Sequence, residues 1–533
     1  MNALAGTSAL VRLAVHRDRI MLPAWLTVFV GMAAMSAAAT AELYPTVESR
    51  VSAAATANNS AALVALYGRV YDPTSLGAVS MMKLGGMGAA MVAVLTIFVV
   101  VRHTRAEEES GRQELLGATV VGRYAPLTAA LLLAIGANLV LGLLTAVGLA
   151  AAGLPADGSL AFGLAWAGVG VAFAAITAVI AQLTTSARAT IGLGSATLGA
   201  VYLIRAIGDT ASADGPRWLS WLSPIGWGQQ FRPYAGNRWW VLLITVGFAV
   251  LAMGIAYLLV ARRDLGAGLV SDRPGRATGH PLLRSPLALA WRLHRVGLAG
   301  WVVGFALMGL ILGNIASDVG GFLDSPEARE MFANLGGGAE RQLSDLFLAA
   351  EMGIMGVIVS AYGISAALRL RSEETDLRAE PLLATAVSRT RWAASHLTVA
   401  LLGVTALATT VGLAAGAAHA GRTGDAGQIG RVLAGALVQL PAAWLVTGIV
   451  VLLFGFAPRY VVGGWAALVA FLLLGTLGPT LQLDQSVMNF SPYTHLPKLP
   501  GGDLTLTPLA WLTGIAIVLI VAGLTGFRRR DVG

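Results

Sequence analysis

Cysteine is missing altogether from these 533 residues, and only two of the 36 basic residues, Lys83 and Lys498, are lysines. The first absence excludes disulfides and thiol chemistry. The second bears on nucleotide hydrolysis, because a phosphate-binding loop needs a lysine between its last glycine and a Ser or Thr. Met82 precedes Lys83 and Pro497 precedes Lys498, so the chain has no Walker A motif and cannot hydrolyse ATP by that route. Charge is scarce as well. With 12% charged and 56% hydrophobic residues and a mean hydropathy of +0.72, a soluble protein of this length would lack polar surface. The seven histidines are scattered without metal-ligand spacing, which speaks against a polytopic membrane enzyme. The arginines form no clustered basic face of the kind a nucleic-acid partner requires.

What is present is apolar and long. A hydrocarbon core of ~30 Å needs about twenty apolar residues per helix. On that measure spans are predicted near 21–43, 84–101, 125–152, 159–187, 189–206 and 239–261, then near 297–317, 350–368, 393–417, 432–457, 460–479 and 506–527. The fold class is therefore an all-α polytopic membrane protein with twelve transmembrane helices. They fall into a first six-helix domain (1–266), a cytoplasmic linker (267–284) and a second six-helix domain (285–533). An even number of spans brings both halves in from one side, so their pseudo-twofold axis runs along the membrane normal. Placing both termini in the cytoplasm puts 24 of the 36 basic residues inside, as the positive-inside rule asks. Arg12, Arg17 and Arg19 before the run from Met21 imitate a signal peptide. That reading fails because Trp25, Phe29 and Met32 recur as Trp301, Phe305 and Met308.

The strongest internal repeat is polar. Arg105 to Arg123 and Arg371 to Arg389 align without a gap, ten of nineteen positions identical: Arg105/Arg371, Glu107/Glu373, Glu108/Glu374, Arg112/Arg378, Glu114/Glu380, Leu116/Leu382, Ala118/Ala384, Thr119/Thr385, Val121/Val387 and Arg123/Arg389. Each half also closes alike, on Arg262-Arg263-Asp264 and Arg529-Arg530-Asp531. One reading of the repeat is a solvated helix stitched by Glu108–Arg112 and Glu374–Arg378 at i,i+4, worth a few tenths of a kcal/mol per pair. It leaves unexplained why the match is denser here than along the spans. The other is a pair of helices docking on a symmetric dimer of partners.

Inside the spans no Lys, Asp or Glu stands away from an end, so no built-in coupling group for an ion gradient is visible. Lys83 and Glu351 open corresponding helices, and an interface ion pair between them is one expectation. Methionine gathers on the same two helices, at Met81, Met82, Met87, Met91, Met352 and Met355. Gap-filling and an adaptable binding surface are both compatible with that.

Taken together, the two charged segments, Trp221-Leu222-Ser223-Pro224-Ile225-Gly226-Trp227, Arg262-Arg263-Asp264-Leu265-Gly266 and Ser491-Pro492-Tyr493 resemble a known family. It is that of the actinobacterial ABC-exporter permeases of tetronasin and other polyketide antibiotics, some of them linked to multidrug efflux. The resemblance covers nearly the whole chain. It implies two fused ABC-2-like (type V exporter-like) halves in the plasma membrane, an apolar or amphipathic export substrate among the membrane lipids, and a homodimer of a separately encoded ABC ATPase. It places no cofactor in this chain; ATP and Mg belong to the partner. The coupling segments that receive the ATPase are then Arg105, Glu107, Glu108, Arg112, Glu114 and Arg123 with Arg371, Glu373, Glu374, Arg378, Glu380 and Arg389. A central cavity along the second, fifth, eighth and eleventh helices is expected to use Met87, Met91, Phe98, Tyr202, Met355, Tyr362 and Phe471. The rival class is an ion-gradient-coupled drug carrier, but the loop after the second helix lacks the Gly-x-x-x-Asp-Arg of the major facilitators.

Overall fold

A computed structural model describes residues 2–117, 119–212, 215–264, 266–270, 278, 283–320, 339–477 and 484–531. They are all-helical, with no strand among the described residues. The chain divides into two compact units, Met1–Gly275 and Arg276–Gly533. Most of the stretch expected as a linker, much of the segment 318–345 and the first four residues of 480–505 lie outside the described residues.

Among the described residues, eleven helices are long and apolar enough to cross a membrane. Six belong to the first unit: Met21–Leu43, Leu76–Glu109, Ala125–Ala151, Ala156–Leu183, Ala187–Thr210 and Val241–Val260. Five belong to the second: Pro286–Ser317, Leu343–Thr375, Arg389–Thr423, Gly427–Phe456 and Leu506–Arg529. The stretch near 460–479 forms a shorter apolar helix, Gly463–Leu477, and 478–483 lies outside the described residues.

Several helices run beyond their apolar stretch because hydropathy marks only the part that lipid would cover. The second begins at Leu76, capped by the Ser75 side chain, and carries a π-turn over Leu84–Gly88. Such a turn leaves a carbonyl without its usual helical partner, and the indole Nε1 of Trp166 donates to Leu84 O at 3.0 Å.

Small residues set the closest approaches. Within the first unit, a Cβ on Gly163 would stand 2.1 Å from Gly142 O, and one on Gly142 2.6 Å from Gly163 O. Ala125–Ala151 and Ala156–Leu183 thus touch backbone to backbone, as membrane helices do when packing replaces the hydrophobic effect between them. In the second unit Gly455 and Gly523 bring Leu440–Phe456 against Leu506–Arg529 in the same way. The aromatic repeat survives in three dimensions: Trp25–Phe29 ring centroids are 5.8 Å apart and Trp301–Phe305 5.9 Å.

The tryptophan-rich segment 207–238 folds back on itself through Arg217–Leu222 and Pro224–Gln230. Trp221 stacks on Trp240 at 5.5 Å, and Trp227 donates from Nε1 to Trp221 O at 2.6 Å. Arg205, fully buried at the end of Ala187–Thr210, pairs with Asp209 at 3.3 Å and lies over the Tyr202 ring at 4.4 Å.

Candidate functional site: two charged elbows

Neither charged segment is a single helix. In the first unit Arg105–Glu109 and Arg112–Gly117 are separate short helices. In the second, the long helix runs to Thr375 and a turn leads into Glu380–Leu383. The breaks fall at matching residues. Gly111 has φ +71° and Leu377 φ +57°, and their amides donate to Glu108 O and Glu374 O, both at 3.0 Å. The result is one elbow in each unit, turned at a left-handed residue as a helix end commonly is.

The break corrects the expected i,i+4 pairs. Glu108 does not bond Arg112; its side chain, 4% exposed, takes Arg105 Nη1 at 2.7 Å and both terminal nitrogens of Arg263 at 2.9 and 2.5 Å. Glu374, 3% exposed, takes Arg371 at 3.0 Å and Arg530 at 2.8 Å rather than Arg378. Arg112 and Arg378 turn instead toward Glu107 and Glu373, at 3.6 and 3.8 Å. The reason is geometric. The i,i+4 rule presumes an unbroken helix between partners, and the elbow interrupts it one residue before each arginine.

A common node emerges in both units. Arg263 and Arg530, the second arginines of the closing motifs, clamp Glu108 and Glu374. Arg123 donates to Val260 O and Arg263 O at 2.9 and 3.0 Å, and Arg389 donates to Arg530 O. Those carbonyls end the last helix of each unit, where a cation is favoured by the helix dipole and by unbonded C=O groups. The first node goes deeper. Arg105, 1% exposed, also donates to Ala181 O at 2.5 Å and Ala267 O at 2.9 Å, and Arg263 Nε donates to Gln182 Oε1 at 2.6 Å. Glu109 accepts from Ala187 N at 3.0 Å, placing a carboxylate at a helix start. The second node is backed by aromatics, with Arg530 5.1 Å from the Phe454 ring. Beside the first node Arg17 pairs with Glu107; burial foremost, then Arg102 and Arg112, lowers the Arg17 guanidinium from its ordinary value.

The remaining predicted residues divide by exposure. Arg112, Glu114, Arg378 and Glu380 stay exposed on the elbows. Beside them stand Leu115, 76% exposed, and Leu377, 61% exposed. Met87, Met91 and Phe98 are exposed on the second helix of the first unit, whereas Tyr202 is half-buried and donates to Leu66 O. In the second unit Met355 and Tyr362 sit in one core cluster and Phe471 is half-buried against another. Lys83 is exposed in the first unit and Glu351 half-buried in the second. Sequence reasoning missed the partnership of Arg263 and Arg530 with the repeated glutamates. The signal was the recurrence of the closing motif itself.

Residues 283–528 match a family model described as Multidrug efflux system permease Rv1217c, C-terminal domain. Over 535 aligned positions the chain is 46% identical to the Multidrug efflux system permease protein Rv1217c of Mycobacterium tuberculosis (strain ATCC 25618 / H37Rv). That alignment covers all of this chain and 96% of the relative. The chain belongs to the Rv1217c family of multidrug efflux permeases. As a permease of this family it is a multi-pass membrane protein and a transporter component. The resemblance drawn from the elbows, the tryptophan segment and the closing motifs agrees with this family.

Proposed function

We propose that this permease is the membrane-spanning subunit of an ATP-driven exporter of apolar or amphipathic compounds, and that a separate ATPase dimer drives it. Twelve helices form two six-helix halves about an axis along the membrane normal, with both termini in the cytoplasm of a plasma-membrane protein. The ATPase, carrying ATP and Mg, closes beneath the halves and presses on the elbows and on the helices around Arg12 to Arg19 and Arg292 to Arg295. The halves then rock, and a cavity along the second, fifth, eighth and eleventh helices changes access from inside to outside.

The observation that carries this reading is at Leu377. A leucine with φ +57° holds a backbone conformation that disfavours L side chains, at a cost of ~1–2 kcal/mol. Backbone hydrogen bonds close the turn, but the side chain is 61% exposed, so burial of the leucine within the described residues does not offset that cost. The matching position is Gly111, at ease in the same turn. Strain at an exposed apolar residue points to an external contact. Leu377, flanked by Asp376, Arg378 and Glu380, is suited to seat in a groove of a partner.

Reconstitution in proteoliposomes tests the proposal. Uptake of an apolar drug into inside-out vesicles is expected only when the ATPase and ATP are both supplied. Uptake by the permease alone under a pH or sodium gradient would overturn it in favour of a secondary carrier.

A further inference from the structure

A cavity of about 450 Å³ lies inside the first unit, against the inner side of its elbow. The helices Thr7–Arg17, Arg112–Gly117 and Ala125–Ala151 and the end of Val241–Val260 line it, and one side stays open. Its volume lies in the range of sites that take drug-sized molecules, roughly 300–1,000 Å³.

The second unit shows what such a place looks like when filled. Three residues after the shared arginine (Arg123, Arg389) the first unit has Pro126 and the second Trp392. Three residues before the clamping arginine (Arg263, Arg530) they have Val260 and Phe527. Trp392 and Phe527 are 2% and 0% exposed with ring centroids 5.7 Å apart, so they plug the second unit with two aromatic rings. Pro126 and Val260 line the first unit's cavity and leave that space open. One residue past Arg112 and Arg378 the pair is Gln113 and Ala379. Gln113 Oε1 is buried with no hydrogen-bond partner among the described residues. A buried acceptor of this kind normally finds a donor.

The lining also defines the charge of an occupant. Arg17, Arg123 and Arg263 are balanced by Glu107, Glu108 and Asp264. Two of these pairs, Arg17–Glu107 and Arg263–Glu108, are closed ion pairs. The rest of the wall is largely apolar, with Leu13, Leu116 and Leu127 among its residues. We infer that this cavity is a binding site for an uncharged amphiphile, whose apolar body fills the space matched by Trp392 and Phe527 and whose N–H or O–H donates to Gln113 Oε1. An occupant touches both ion pairs of the elbow, so it is in contact with the charged node itself.

Photolabelling of the purified full-length chain in lipid nanodiscs tests this, with no nucleotide or ATPase present, so the outcome is separate from that of the transport assay. The probes are a diazirine-bearing neutral anilide with one N–H and its N-methylated counterpart. Saturable labelling by the N–H probe is expected within 7–17 and 112–130. Pro126→Trp, which imports the second unit's plug, is expected to abolish it while labelling elsewhere in the chain persists. Gln113→Leu is expected to weaken the N–H probe about tenfold, the size of one lost hydrogen bond, and to change the N-methyl probe less than twofold. No saturable labelling of these segments in the unsubstituted chain, or undiminished labelling of folded P126W, overturns the site. An equal effect of Gln113→Leu on both probes overturns the assigned contact.

Discussion

Glu108 shows how much a single side chain can hold in a chain so poor in charge. Its carboxylate is 4% exposed and bridges Arg105 to Arg263, a residue 155 positions away. Removing one partner from a buried pair costs roughly 3–5 kcal/mol, because the remaining charge stays desolvated. Glu108→Ala and Arg263→Ala are each expected to lower the thermal unfolding temperature of the purified permease sharply. The double variant is expected to fall well short of the sum, since the two remove one interaction. Additive losses in that cycle would mean the pair is not coupled. Leu377 makes the opposite prediction. Leu377→Gly relieves a left-handed leucine and is expected to stabilise the fold by ~1 kcal/mol, while weakening ATPase binding in a co-purification assay. A variant that gains stability and binds the ATPase as before would remove Leu377 from the docking surface.

At the scale of the helix, the glycine contacts decide which elements can touch. A side chain at Gly163 has nowhere to go, because Gly142 O already stands 2.1 Å from where its Cβ would be. Gly163→Leu must push apart two helices that meet along their length, and is expected to abolish the stably folded permease as judged by monodisperse elution in detergent. Gly136→Leu, at a position with nothing within 4 Å of its Cβ, is the matched control and is expected to elute normally. Elements were also what the sequence disclosed best. Spans such as 21–43 and 125–152 coincide with helices Met21–Leu43 and Ala125–Ala151 because hydropathy over about twenty residues is a bulk property. The elbows were legible as segments but not as shapes. Gly111 hints at a break, yet Leu377 at the matching position gives no such signal, and the i,i+4 spacing of Glu374 and Arg378 points to the wrong partner. The aromatic plug is likewise invisible in one dimension, since Trp392 and Phe527 meet only in the folded unit.

Across the whole molecule, the internal repeat is conservative in its ion pairs and free in its packing. Glu108 with Arg263 and Glu374 with Arg530 are the same construction. Around them Pro126 has become Trp392 and Val260 has become Phe527. A charge buried at a helix end has few acceptable replacements, whereas apolar volume can be exchanged wherever neighbours adjust. This is why the residues that identify the family were found among the few polar stretches. Transport itself belongs to this scale, and the reconstitution experiment reads it there.

The clamp between Glu108 and Arg263 also has a mechanical side. The elbow closes the second helix of its unit, and Arg263 closes the sixth, so a guanidinium and a carboxylate rivet together two rods far apart along the chain. A force on the elbow is therefore borne by both rods at once, and the last one is dragged along rather than left behind. One short lever holds two helices.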